Sequence, residues 1–211
     1  MNNTETRTSG VAGAVAVQVI ELDPDMALVR QYLKGDTRAF EILFKKYQTP
    51  IFNLVSRMVN GEDAYDLTQD VFCNALRGLQ GFRGESKFST WLYSIARNVC
   101  LNRLRRSSCV HEESLDEMCG DQANAELPDY SADVEAIAET HELQQIVNSV
   151  LATLPLEQRL LITLRDFEQL SYEEISRITE MSLSNVKSRL HRARIAFKNR
   201  FKPYLGLLRE G

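Results

Sequence analysis

Between Ser107 and Thr140 the chain carries ten acids and no lysine or arginine, a net charge of −10 over 34 residues. The stretch is also poor in large apolar side chains, so it cannot bury enough surface to offset the entropy lost on ordering. It reads as a flexible acidic linker, residues 107–140, and it forces the 211 residues to close a core on either side of it. The flanks have the opposite sign. Residues 25–106 hold thirteen basic and eight acidic side chains, net +5, and residues 141–211 hold eleven and eight, net +3. Residues 1–24, with one arginine and three acids, read as a disordered tail. The overall charge of −4 thus hides two basic modules, and such segregation points to a polyanionic partner.

Neither module shows alternating strand-like runs or hairpin turn pairs, so both are expected to be helical and small. The expected class is all-α. The apolar run Val11 to Ile20 is too short to cross a bilayer and lacks the basic flank of a signal peptide. Cys73, Cys100, Cys109 and Cys119 form no CxxC pair, and His111, His141 and His191 lie far apart. No metal site and no cofactor is expected, and reduced thiols in a cytosol are the default. GxxxxGK[ST], HExxH and GxSxG motifs are absent, which removes the common nucleotide-hydrolysing, zinc-protease and serine-hydrolase readings.

The C-terminal module ends in a helix-turn-helix pattern. Ser171 and Glu174 stand at capping-box spacing, residues 179–181 make a short turn, and Ser182 caps a longer helix that Pro203 closes. From Ser182 to Lys202 there are seven cations and no acid. Val186, Leu190, Ala193, Phe197 and Phe201 mark its core stripe; Ser184, Ser188, His191 and Ile195 fall opposite. Short polar groups in the middle with cations at the rim suit a helix pressed into a major groove. Asn185, Ser188, Arg189 and Arg192 are candidates for base-edge contact, with Ser184 beside them. Lys187, Arg194 and Lys198 are candidates for phosphate. Upstream, Leu143, Ile146, Val147, Val150 and Leu151 make an amphipathic helix, and Pro155 opens another through Leu160, Leu161 and Leu164.

In the N-terminal module, residues 63–79 give a helical stripe of Ala64, Leu67, Val71, Phe72, Ala75, Leu76 and Leu79. Asp66, Gln69, Asp70 and Cys73 fall off that stripe. Such an acid-amide patch suits docking on an arginine-rich protein, although spacing alone fits ordinary solvated acids equally. Residues 82–106 interleave aromatics with six cations and one acid, Glu85. Gly81 and Gly84 make the start a loop, and Ser89 or Thr90 is expected to cap the following helix. Aromatics among cations beside a loop suit single-stranded nucleic acid. An aromatic stripe is more often core, so Trp91, Leu92 and Ile95 are expected inside, with Phe88 and Val99, and the loop from Phe82 to Ser89 carries recognition.

Residues 35–48 (GDTRAFEILFKKYQ), 63–76 (DAYDLTQDVFCNAL), 82–98 (FRGESKFSTWLYSIARN) and the segments 154–176 and 184–194 together resemble the extracytoplasmic-function sigma factors, the sigma-E-like class of the bacterial sigma-70 family. The resemblance covers residues 25–106 and 141–205. It implies a sigma region 2 bundle over 25–106, and over 141–211 a four-helix region 4 with the helix-turn-helix. It implies a transcription initiation factor without catalytic activity, acting in the bacterial cytoplasm. Asp66, Gln69, Asp70 and Cys73 would then meet core RNA polymerase. Phe82, Arg83, Lys87, Phe88, Ser89, Arg97 and Asn98 would hold the melted −10 strand, one base being flipped from the stack, and the helix-turn-helix would read the −35 duplex. The resemblance also implies an anti-sigma partner. Asn102 departs from the Asp frequent in the family, and no role is given to it. The competing reading is a stand-alone helix-turn-helix regulator, expected to be a dimer on a palindrome; it gives the aromatic-basic segment no task.

Overall fold

The computed structural model describes residues 23–59, 63–111 and 134–207. Most of the expected tail and the middle of the expected linker fall outside them. Among the described residues the chain is helical, without strands. Helix α1 (Pro24–Leu33) starts with proline in its first turn and is capped by Asp23, which accepts from the Asp25 amide at 3.1 Å. Helix α2 (Thr37–Met58) is capped by Asp36 and buries Ala39, Leu43, Tyr47, Ile51, Leu54, Val55 and Met58. Asp25 is buried and bound by Lys46 at 2.6 and 2.7 Å and by the Tyr47 hydroxyl. This cluster ties α1 to α2 and satisfies a carboxylate that would otherwise be costly inside.

Helix α3 (Ala64–Gly78) continues into a 3-10 turn (Leu79–Gly81). Its stripe buries Ala64, Leu67, Val71, Phe72, Ala75 and Leu79 as the periodicity requires, but Leu76 is exposed. Helix α4 (Phe88–His111) starts one residue before the expected cap, leaving Ser89 and Thr90 inside its first turn. Phe88, Leu92, Ala96 and Cys100, four residues apart, form its buried line.

The second module holds α5 (Val134–Ala152), α6 (Leu156–Ile162), a π-turn (Thr163–Phe167), α7 (Tyr172–Thr179), α8 (Leu183–Phe201) and the short α9 (Tyr204–Leu207). Its core joins Val150, Leu151, Leu160, Leu161, Leu164, Ile175, Ile178, Val186, Leu190 and Ala193. Leu143 is exposed, while Phe197 and Phe201 stack at 5.6 Å and are only half-buried. Helices α4 and α5 extend into the linker stretch from its two ends, to His111 and from Val134.

The two modules are in contact. Helix α4 lies against α7, and α2 against α5, α6 and the π-turn. The buried residues of both modules form one continuous cluster. The charge pattern led to the expectation of two modules joined by a tether; it gave no sign of this docking.

Candidate nucleic-acid interface

The helix-turn-helix forms as its caps dictate. The Ser171 hydroxyl accepts from the Glu174 amide at 3.2 Å, and the Glu174 carboxylate accepts from the Ser171 amide at 2.9 Å, closing a capping box. Glu180 takes the left-handed conformation that ends α7, with φ 60°, and Ser182 caps α8 by accepting from the Asn185 amide at 3.4 Å. Ser176 donates to the Met181 carbonyl at 2.5 Å and steadies the turn.

On α8, Ser184, Asn185, Lys187, Ser188, Arg192, Arg194 and Lys198 are exposed, as are His191 and Ile195. Arg189 is half-buried and paired with Glu157. Arg194 pairs with both oxygens of Asp166, one at 3.1 Å, and these hydrogen bonds push its guanidinium above its ordinary value. The two arginines are thus braced against their own module, while Asn185, Ser188 and Arg192 project from it. Tyr172, which periodicity did not single out, lies under two cations, Arg165 at 4.8 Å and Lys187 at 5.5 Å.

The second surface surrounds the loop before α4. Gly81, Phe82, Arg83, Glu85, Ser86 and Trp91 line an open cavity of ≈ 320 Å³, at the small end of the ~300–1,000 Å³ range of ligand pockets. Phe82 stacks on Trp91 with centroids 4.8 Å apart and planes at 28°. Two glycines shape this wall. A Cβ on Gly78 would stand 3.1 Å from the Trp91 ring, and Gly84 holds φ 69° with the Met26 methyl 3.0 Å from where its Cβ would be. Arg83 is exposed, and Lys87 is half-exposed.

Phe88, counted among the strand-contacting residues, is corrected: it is fully buried against Tyr47, Phe82 and Trp91. It supports the cavity wall from beneath, since Tyr47 of α2 and the rings of Phe82 and Trp91 close around it. Ser89 is half-buried beside the Tyr47 hydroxyl and does not cap the helix. Trp91 and Ile95 are half-buried, Leu92 fully so. Asn98 is exposed and accepts from Arg97 at 3.3 Å.

The third surface is on α3, where Asp66, Gln69, Asp70 and Cys73 are all exposed on one side. Tyr65 and Leu76, which spacing left out of this face, are exposed as well, and Phe44, itself partly exposed, packs on Phe72 at 4.6 Å. The acids therefore sit beside uncovered apolar surface.

Residues brought together across the modules were invisible to sequence reading. The Tyr93 hydroxyl donates to Glu168 at 2.8 Å, Arg57 reaches the same carboxylate at 3.5 Å, and Phe167 lies 4.2 Å from the Arg57 guanidinium. Burial raises the Glu168 carboxyl and lowers Arg57. Arg159 donates to the Met58 carbonyl at 3.2 Å.

No cluster of His, Cys, Asp or Glu suited to a metal is present among the described residues, and no helix there is long and apolar enough to cross a membrane.

Comparison with known proteins identifies both modules. Residues 43–109 match the Sigma-70 region 2 family model and residues 144–197 the Sigma-70, region 4 model. The chain is 38% identical over 185 residues to the ECF RNA polymerase sigma-E factor of Escherichia coli K12, covering 86% of this chain and 96% of that protein. It is 35% identical over 184 residues to the Haemophilus influenzae sigma-E factor, covering 86% and 97%. Its fold is similar to that of the sigma factor RpoE of Bartonella quintana, solved with the anti-sigma factor NepR, at TM-score 0.65 and 22% identity over 79% of this chain and 98% of that one. It is also similar to CnrH, solved with the cytosolic domain of CnrY, at TM-score 0.63 and 23% identity over 86% and 99%. Two helical modules of the right kinds in the right order, with relatives matched over nearly their full length, lead to one conclusion: the chain belongs to the extracytoplasmic-function sigma factors and is a promoter-specific transcription initiation factor.

Proposed function

We propose that the chain divides a promoter between its modules while holding core RNA polymerase through α3. The exposed row Ser184, Asn185, Ser188 and Arg192 reads −35 base edges, and Lys187, Lys198 and, once released from Asp166, Arg194 bind phosphates. The loop from Phe82 to Lys87, with Arg97 and Asn98 behind it, holds the melted −10 strand. Asp66, Gln69, Asp70 and Cys73 face the polymerase.

The observation that carries this reading is the difference in build between the two cationic surfaces. One is a polar helix face that fits a groove. The other is an open cavity walled by the stacked rings of Phe82 and Trp91. Opening a duplex costs about 1.4 kcal/mol of stacking per step, and a cavity that takes one unstacked base, beside a cationic track, can offset it without ATP. The factor performs no catalysis of its own and works in the bacterial cytoplasm. By analogy with the Bartonella complex, an anti-sigma protein is its second partner. A stand-alone regulator has no use for the cavity.

Reconstitution tests the proposal. Added to core polymerase, the chain should give discrete transcript starts, with permanganate-reactive thymines near −10. A chain that fails to associate with polymerase, or that shifts palindromic duplex tightly by itself, refutes it.

A further inference from the structure

We propose that Met26 of α1 and the Asp25–Tyr47 hydrogen bond set the shape of the loop from Phe82 to Lys87, and so govern capture of the melted −10 strand. This rests on the assignment of that strand to the loop under the proposed function. Helix α1 lies against both the 3-10 turn Leu79–Gly81 and α4, the two elements between which the loop is strung. The loop is tied at its ends. The Phe82 amide donates to the Leu79 carbonyl at 3.2 Å, and the Trp91 amide donates to the Lys87 carbonyl at 3.2 Å. In its middle Gly84 holds φ 69°, and the Met26 methyl lies 3.0 Å from where a Cβ would stand. Met26 is itself buried. Its methyl therefore packs on loop backbone at a position where only glycine leaves room.

The second support is polar. Asp25, next to Met26, is buried and receives Lys46 and the Tyr47 hydroxyl. Such a carboxylate is a weak source of stability, since an apolar residue would fill the site without the desolvation cost. Its charge-assisted hydrogen bonds are directional, however, and fix how α1 is rotated on α2. That rotation decides where Met26 is delivered. Tyr47 carries the constraint onward. Its hydroxyl stands beside Ser89 in the first turn of α4, and its ring lies 5.6 Å from that of Phe88, which backs the Phe82–Trp91 wall. Two adjacent residues of α1 thus reach the cavity by two routes, through the loop backbone at Gly84 and through the wall in front of Phe88. Asp25, Met26 and Tyr47 do not line the cavity, so they act on the strand by positioning the loop. A site built on a loop needs such support, because recognition is lost when its groups stray by more than about 0.5 Å from the fitting geometry.

The test uses holoenzyme, reconstituted from the full chain and core polymerase, on a promoter taken from its mapped transcript starts. Two fluorescent probes share the −35 duplex. One stops upstream of −10, and the other adds the −10 non-template strand unpaired. Fluorescence polarisation gives the ratio of the two affinities, which reports strand capture apart from folding, polymerase binding and −35 reading. Met26→Ala should lower that ratio about ten-fold, and Tyr47→Phe, which deletes the hydroxyl but keeps the ring, about five-fold. Met26→Leu, which refills the volume, should restore most of the loss. Tyr32→Ala, which loosens α1 through its contact with Phe40 at 5.4 Å, should leave the ratio unchanged. A fall at Tyr32→Ala equal to that at Met26→Ala shows that any weakening of α1 suffices, and overturns the inference. Arg83→Ala, on the cavity lining, tests the strand assignment itself. Unchanged ratios in Met26→Ala and Tyr47→Phe beside a lowered one in Arg83→Ala overturn the inference and leave the −10 assignment standing. An unchanged ratio in Arg83→Ala as well overturns both. Where Met26→Ala fails to fold, Tyr47→Phe decides the question by itself.

Discussion

The hydroxyl of Tyr93 donates to Glu168 at 2.8 Å across 75 residues of sequence, joining α4 of one module to the turn before α7 of the other. Tyr93 is 4% exposed, so this is a buried polar contact between domains, whereas the Lys87–Glu174 and Arg97–Glu180 pairs lie nearer to solvent. Tyr93→Phe removes the donor but not the ring. It leaves Glu168 with Arg57 at 3.5 Å as its remaining partner, and an under-satisfied buried acceptor costs about 1–3 kcal/mol. Urea denaturation should show that loss, with the two modules unfolding less cooperatively than in the wild type. An unchanged midpoint and slope would show that the hydrogen bond contributes nothing to docking.

Acidity should act on Glu168 and Glu174 in opposite directions. Burial raises the Glu168 carboxyl above its ordinary value, Tyr93 and Arg57 notwithstanding. Docked, it therefore binds a proton more readily than when free, and its contribution to docking grows as pH falls through the raised value toward about 4.3. For Glu174 burial also raises the carboxyl, but the Lys87 and Ser171 hydrogen bonds outweigh it and the net shift is downward. Its contribution is present above the ordinary value and lost as pH falls through the lowered one. Glu168→Gln deletes only the first effect. Between pH 7 and 5 the wild type should gain stability relative to the variant; parallel urea midpoints across that range would refute the assignment.

Arg192 projects from α8 with no acid paired to it among the described residues, unlike Arg189 with Glu157 and Arg194 with Asp166. Arg192→Ala should weaken discrimination at one −35 base pair by about 1–3 kcal/mol, whereas Lys198→Ala should weaken all duplexes alike and flatten the salt dependence. Competition binding against single-base promoter variants separates the two. Uniform loss at Arg192 would move that residue to the phosphate group.

The cysteines offer a check on the α3 face. Cys73 is exposed beside Asp70, while burial pushes the Cys100 thiol up to about 12. In a Cys109→Ser/Cys119→Ser background, iodoacetamide should label Cys73 in the native protein and Cys100 only after unfolding, as peptide mass spectrometry can show. A bulky maleimide on Cys73 should then reduce polymerase binding at least ten-fold, or about 1.4 kcal/mol, if this face docks there. Full affinity after complete labelling would remove Cys73 from the interface.

The sequence by itself determined the local structure. The capping box at Ser171 and Glu174, the cap at Ser182 and the 3.6-residue periodicity of α3 and α8 are encoded within a few neighbours, so the helices and their faces are legible in the sequence. The exposed rows at Asp66–Cys73 and Ser184–Lys198 followed from the same periodicity. It failed where a helix meets more than one neighbour. Phe88 carries the composition of a binding loop but is buried, because α2 and the Phe82–Trp91 wall close over it. Leu76 fits an apolar stripe yet is exposed, because none of the described elements covers it. Tyr93, Arg57 and Glu168 meet over separations of 75 and 111 residues, and no periodic pattern reports such a meeting. Only tertiary structure decided that the two basic modules dock through acids of the second, since a net charge of +3 sums over the positions of its carboxylates and cannot say that three of them share one face.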